Sequence, residues 1–203
     1  MDDMQAAWRD AMTPQYATLI VWAVWVASWM LAASWSRQVA KRVDWNSQLL
    51  YRVVTVAGGF MLFGVESHSY HGPDRLWVLS EQASWGMVGI VALGFLFAWW
   101  ARIYLGSLWS GWITKKADHH IVDTGPYALV RHPIYTGIIL SAFASAAQKG
   151  SGLELAGAAV MTWGFWIKAR LEERFLREEL GAEAYDSYRR RVPMLIPLGP
   201  KGA

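Results

Sequence analysis

The chain contains no cysteine, which excludes a disulfide framework, a thiolate metal site and a cysteine nucleophile. It is also short of charge: Asp, Glu, Lys and Arg make up 17% of the residues, against about 25% in an ordinary soluble domain. The amino terminus, MDDMQAAWRDAM, is polar and acidic, so the basic start of a signal peptide is missing. There is no internal repeat, no low-complexity segment and no glycine-rich strand-to-helix fingerprint of a nucleotide-binding Rossmann unit.

What is abundant is apolar surface. Hydrophobic residues reach 54% and tryptophan occurs 14 times in 203 residues. Trp favours the membrane–water boundary, because its ring is apolar while its N–H needs a partner. These proportions point to an integral membrane protein.

Ala11–Ser36 carries no charged residue and is long enough to cross the roughly 30 Å hydrocarbon core. Trp22, Trp25 and Trp29 recur within it at helical spacing and form one stripe, read first as a packing face and second as a substrate wall. A second span is expected from about Leu49 to His68, with Arg52 snorkelling outward. The loop Ser67–Glu81 holds His68 and His71, but no further ligand stands near them and Gly72–Pro73 makes a turn, so no metal site is expected. Gln82–Ala101 is a third run. His132–Gln148 is a fourth, with Pro133 in its first turn and the small residues Ser141–Ala147 suited to close helix approach. Leu153–Ile167 is a fifth, and with no Pro or Gly between Phe165 and Leu180 its helix is expected to run on past the membrane. Gly181 ends it, and a short helix follows over Tyr185–Arg191.

The fold expected is therefore all-α and polytopic, with about five transmembrane helices and a carboxyl-terminal helical extension. Residues 1–100 hold about three spans, and residues 101–203 hold two spans and the tail. Basic residues set the orientation. Three lie in the first loop, four between Arg102 and Arg131, and eight in the tail from Lys168, against one each in the amino terminus, second loop and fourth loop. The positive-inside rule then puts the amino terminus outside and the tail in the cytoplasm.

Two polar stretches consequently share the cytoplasmic side. The first, His119–Gly137, reads HHIVDTGPYALVRHPIYTG, and the second runs from Lys168 to Pro197. Polar density of this kind beside an apolar segment is a functional-site hypothesis by default. Each part has an ordinary reading when taken alone. Gly125–Pro126 makes a turn, Arg131 anchors a helix end, His132 is a satisfied boundary histidine, and the Glu/Arg run of the tail is a solvated face. Glu172 and Glu173 are adjacent on a helix, so one can face a site while the other pairs with a basic neighbour.

The joint spacing is more telling. His119-x-Ile121-Val122-x-x-Gly125-Pro126-Tyr127 is followed by Arg131-His132-Pro133-x-Tyr135-x-Gly137. Then come Glu172-Glu173-x-x-Leu176, Gly181, Tyr185-x-x-Tyr188, Arg191-Val192-Pro193 and Ile196-Pro197. Over about the last hundred residues this resembles the isoprenylcysteine carboxyl methyltransferases and their phospholipid-methyltransferase-like bacterial relatives.

The resemblance implies a membrane-embedded methyltransferase using S-adenosylmethionine and releasing S-adenosylhomocysteine, with the cofactor held by the carboxyl half. By motif position, His119, His120, Ile121, Val122, Tyr127, His132, Pro133, Ile134, Tyr135 and Glu172 would line the cofactor pocket, with Trp112 as an aromatic wall. Lys168, Arg131 and Glu173 are the candidates for meeting substrate, and no catalytic base is singled out. The partners expected are the lipid bilayer and a lipophilic methyl acceptor, with no nucleic acid and no metal. The acceptor stays open among a carboxylate such as a prenylated cysteine, an aminophospholipid amine and a small hydrophobic thiol or alcohol. Two departures bear on it: Lys168 stands where the family tends to carry Arg, offering a point charge in place of a fork, and Asp123 stands where a small hydroxyl residue is usual. The location expected is a bacterial inner membrane. The competing readings are a membrane reductase of the sterol-reductase type using NADPH and a non-catalytic membrane protein.

Overall fold

A computed structural model of the chain describes residues 13–33, 39–42, 44–64, 75–116 and 120–201. In chain order it contains α1 (Pro14–Ala32), β1 (Val39–Arg42), α2 (Trp45–Phe63), α3 (Glu81–Leu105), β2 (Thr114–Lys116), the single turn α4 (Pro126–Leu129), α5 (Pro133–Lys149), α6 (Gly152–Leu180) and α7 (Ala182–Arg191). Helices dominate. β1 and β2 add one short antiparallel pair that the hydrophobic pattern does not announce.

Local chemistry starts the helices where they start. Thr13, Asp44, Ser80 and Ser151 each cap a helix by accepting a backbone N–H from its first turn. Pro14 and Pro133 occupy first-turn positions, where a missing N–H costs nothing. With no internal breaker, α6 continues for 29 residues, about 43 Å, and so exceeds the hydrocarbon thickness as expected. The second helix spans Trp45–Phe63 and so starts before the expected Leu49, while the expected end at His68 lies outside the described residues. Its start is set by Asp44, which accepts from Asn46 N–H at 2.8 Å and Ser47 N–H at 3.0 Å.

Among the described residues, two helical segments are long and apolar enough to cross a membrane, Pro14–Ala32 and Glu81–Leu108. The other long helices mix in polarity: α2 carries Arg52 and Gln48, α5 ends in Gln148 and Lys149, and the second half of α6 is charged. Much of that polarity is turned inward. Gln48, Gln148, Lys149 and Glu154 are buried, whereas Val24, Leu31, Val56, Phe60, Leu93, Leu96, Leu140 and Trp163 are exposed.

Buried polar bonds fix which helix ends lie together. Gln148, at the end of α5, donates to Pro14 O at 3.2 Å and Ser84 O at 3.1 Å, joining the starts of α1 and α3. Lys149 donates to Leu62 O at 2.7 Å, near the end of α2, and lies 4.0 Å from Glu154 in the first turn of α6. At the opposite end, Arg102 donates to Ala32 O at 2.8 Å. The five long helices therefore alternate in direction. α2 packs on α6 and α3 on α5. Gly58 and Gly157 let the first pair approach so closely that a Cβ on either would strike backbone of the other helix.

Candidate functional site

The site forms where the two polar stretches meet, at the end of the bundle holding the carboxyl ends of α1, α3 and α6. Gly125, with φ 57°, turns the chain into α4, and a Cβ there would fall 2.6 Å from the Tyr104 ring. Pro133 holds His132 out of the helical region at φ −125°, ψ 63° and then begins α5. The backbone N–H groups of Arg131 and His132, just ahead of α5, are taken by the returning tail. Arg131 N–H donates to Pro193 O at 2.9 Å and His132 N–H to Met194 O at 3.1 Å. Thr136 Oγ1 donates to Leu195 O at 2.6 Å, and Tyr188 OH to Tyr127 O at 2.8 Å. Asp123, the departure noted above, accepts from Arg191 at 2.8 Å and so makes a further tie between the stretches.

These contacts enclose a cavity of about 250 Å³. Trp112, His120, Ile121, Val122, Tyr127, Arg131, His132, Pro133, Ile134, Tyr135, Lys168 and Glu172 all line it. His119 lies outside the described residues. Glu173 is placed outside the lining and is buried against Arg131.

The polar wall is an ordered chain of contacts. The His132 and Tyr135 rings stack at 5.2 Å and 5°, and Tyr135 stacks on Phe165 at 5.1 Å. Tyr135 OH donates to Glu172 Oε2 at 2.7 Å. Glu172 Oε1 accepts from no described residue, which leaves a carboxylate oxygen available at a partly open position. Lys168 Nζ sits 5.1 Å over the Tyr135 ring and donates to Gly111 O at 3.4 Å. Behind this wall, Glu173 Oε1 accepts from Arg131 Nε at 2.7 Å and lies 3.2 Å from His132 Nε2. Burial pushes the Glu173 carboxyl up, but its bonds to His132 and Arg131 and their charges outweigh burial and hold it below its ordinary value. Burial raises the Tyr127 and Tyr188 phenols, so both are neutral hydroxyl donors near pH 7 and neither is a ready base.

The rest of the lining is apolar and includes Trp29, Leu105, Leu108, Trp109, Ile138 and Phe165. Trp29 meets Trp109 edge-on at 5.4 Å and Trp99 at 5.5 Å. Sequence reading missed most of this wall. Trp29 belongs to the aromatic stripe of α1, and only its position along the axis, one turn beyond Trp25 toward the helix end, brings it to the cavity.

Comparison with known proteins bears on this geometry. Residues 87–178, which carry α5, most of α3 and nearly all of α6, match the model of the isoprenylcysteine carboxyl methyltransferase (ICMT) family. Over that stretch the chain is ICMT-like. A protein-S-isoprenylcysteine O-methyltransferase of Schizosaccharomyces pombe is 31% identical over 116 residues, covering 56% of this chain and 49% of the relative. Methanethiol S-methyltransferase 2 of Bradyrhizobium diazoefficiens is 32% identical over 134 residues, 62% and 51% respectively. A cobalt-zinc-cadmium resistance protein, CzcN, of Cupriavidus metallidurans is 31% identical over 149 residues, 71% and 60%. The ICMT-like chain thus spans about half the length of the first two relatives.

Proposed function

We propose that this ICMT-like protein is an integral membrane methyltransferase that holds S-adenosylmethionine in the cavity and methylates a lipophilic acceptor. The observation that carries the reading is the meeting of the two motif blocks at bonding distance: Tyr135 from the first donates to Glu172 from the second, in the wall of one cavity. The donor set fits the cofactor. Glu172 Oε1 can accept from a ribose hydroxyl or an ammonium group. The faces of Tyr127, Tyr135 and Trp112 suit a sulfonium cation. When bound, the cofactor supplies an electrophilic methyl group. The chain's own work is to align donor and acceptor and to exclude water through the Trp29, Ile138 and Phe165 wall. Those rings would hold S-adenosylhomocysteine, whose sulfur is neutral, less tightly than the sulfonium.

The membrane reading takes all five long helices as spans. Their alternating directions, the inward-turned polar residues and the outward Val, Leu, Phe and Trp side chains support it. With the amino terminus outside, the cavity and tail lie on the cytoplasmic face of a bacterial inner membrane. Residues 1–100 serve mainly as scaffold and contribute Trp29 to the cavity wall, and residues 101–203 supply the rest of the lining. α3 runs unbroken through position 100, so the two parts fold together.

The acceptor reaches the cavity from lipid. The two methyltransferase relatives are named for an isoprenylcysteine and for methanethiol, and both chemistries suit a site with no evident base. A carboxylate is already ionised at neutral pH, and a thiol needs only a shift in its equilibrium. Because relatives with different acceptors match overlapping parts of this chain, acceptor choice falls most naturally to walls such as Trp29, outside residues 87–178.

The test is calorimetric titration of the detergent-solubilised protein with S-adenosylmethionine and S-adenosylhomocysteine, beside Glu172→Ala and His132→Ala. Micromolar-range binding that both variants lose supports the reading. Folded wild-type protein that binds neither ligand, with or without a lipid acceptor present, sinks it, and binding of NADPH instead points to the reductase class.

A further inference from the structure

α6 changes character along one face. Trp163, Trp166, Arg170, Arg174 and Arg177 follow at intervals of three, four, four and three residues, the spacing of a single helix face, and each is exposed. The face passes from aromatic to cationic between Trp166 and Arg170, whose guanidinium lies 5.5 Å from the Trp166 ring centroid. Exposed Trp residues mark the membrane–water boundary, so the arginines beyond them stand at the level of lipid headgroups.

There α6 and α7 form a cleft of about 340 Å³ lined by Arg170, Glu173, Arg174, Arg177, Asp186 and Arg189. Four guanidiniums face two carboxylates, and both carboxylates are engaged. Glu173 pairs with Arg131 at 2.7 Å, and Asp186 with Arg177 at 2.9 Å and Arg189 at 3.2 Å. Neither Arg170 nor Arg174 makes an ion pair with a described residue. The cleft keeps an excess of two positive charges on its open side.

We propose that this cleft binds the headgroup of an anionic phospholipid, with Arg170 and Arg174 holding the phosphate. The planar guanidinium matches phosphate geometry, and the excess charge disfavours a zwitterionic headgroup whose own cation would be brought close. The inference rests on α6 leaving the bilayer after Trp166 and is independent of what the main cavity binds.

Native mass spectrometry of the full detergent-solubilised chain, titrated with phosphatidylglycerol and with phosphatidylcholine, tests it. Wild-type protein is expected to retain phosphatidylglycerol preferentially. The Arg170→Gln/Arg174→Gln protein should hold it about thirty-fold more weakly, from the loss of two interfacial cations, with phosphatidylcholine binding unchanged. Both side chains are exposed and outside the main cavity, so an unchanged melting temperature certifies the variant's fold. Equal retention of the two lipids by wild type, or an undiminished preference in the variant, overturns the proposal. So does displacement by inorganic phosphate at the same concentration, which would make the ligand a free anion. A lipid preference without any cofactor binding would count against the methyltransferase reading alone.

Discussion

Glu172 and Glu173 are neighbours in sequence and part company in space. Glu172 Oε2 accepts from Tyr135 in the cavity wall at 2.7 Å, while Glu173, buried behind the lining, accepts at Oε1 from Arg131, also at 2.7 Å. One helix step, about 100° of rotation, separates a cavity-facing carboxylate from a buried, ion-paired one. Glu172→Gln should weaken S-adenosylmethionine by roughly 10- to 100-fold, the value of a hydrogen bond to a charged group, and leave the melting temperature nearly unchanged. Glu173→Gln should do the reverse. It strands the buried Arg131 guanidinium, a loss of about 3–5 kcal/mol when one partner of a buried pair is removed. Calorimetry and thermal denaturation on both variants separate the roles, and equal effects of the two on binding would refute the division.

Glu173 also makes stability depend on pH in a definite direction. Its folded-state pKa lies below its unfolded value, which is about 4.3 for a glutamate. The stability it contributes is therefore complete above the unfolded pKa and is lost as pH falls through the folded one. Melting curves of wild type and Glu173→Gln from about pH 6 down to about pH 3 should show a constant gap that closes only at the acid end. A gap independent of pH would mean that the pair is not ionised in the way its geometry indicates.

Tyr135 has two duties that substitution can separate. Its hydroxyl orients Glu172, and its ring is stacked between His132 and Phe165. Tyr135→Phe keeps the stack and should weaken cofactor binding by roughly 10-fold through the freed carboxylate. Tyr135→Ala should lose binding further and also destabilise the fold, since truncating a large buried aromatic side chain costs about 3–5 kcal/mol. Matching affinities for the Phe and Ala proteins would remove the ring from the account.

Much of the polar half of this site was legible in the sequence, because it is written locally. Pro133 after His132, Gly125 before Pro126 and the Glu172–Glu173 pair each dictate backbone or charge within a few residues, and the cavity is lined by twelve of the residues singled out through the family resemblance. The long helices were legible for a similar reason, since uninterrupted apolar runs leave few alternatives. The β1–β2 pair and the early start of α2 were not, as one depends on a partner more than seventy residues away and the other on a single cap, Asp44. Nor was the role of Lys149, which reads as a loop cation and is in fact buried against Leu62 O and Glu154. The apolar wall is least legible of all. Ile138 and Phe165 face the cavity rather than lipid only because of rotational phase, and no chemistry in the side chain records it.

Trp29 makes that last point testable. It comes from α1, lies outside residues 87–178, lines the cavity and meets Trp109 and Trp99 edge-on. If the polar wall holds the cofactor and the aromatic wall receives the acceptor, replacing Trp29 should divide binding from turnover. Trp29→Ala opens space without removing a polar group, so the Kd for S-adenosylhomocysteine should change by no more than about three-fold, within roughly 0.6 kcal/mol. The KM for a lipophilic acceptor should rise by about 10-fold or more, in keeping with the 2–3 kcal/mol that a buried aromatic contributes to apolar contact. Trp29→Phe, which keeps an aromatic edge toward Trp109, should recover most of the loss. A variant that loses cofactor and acceptor affinity together would show that the two walls serve one ligand, and the acceptor would then have to approach along another face of the bundle.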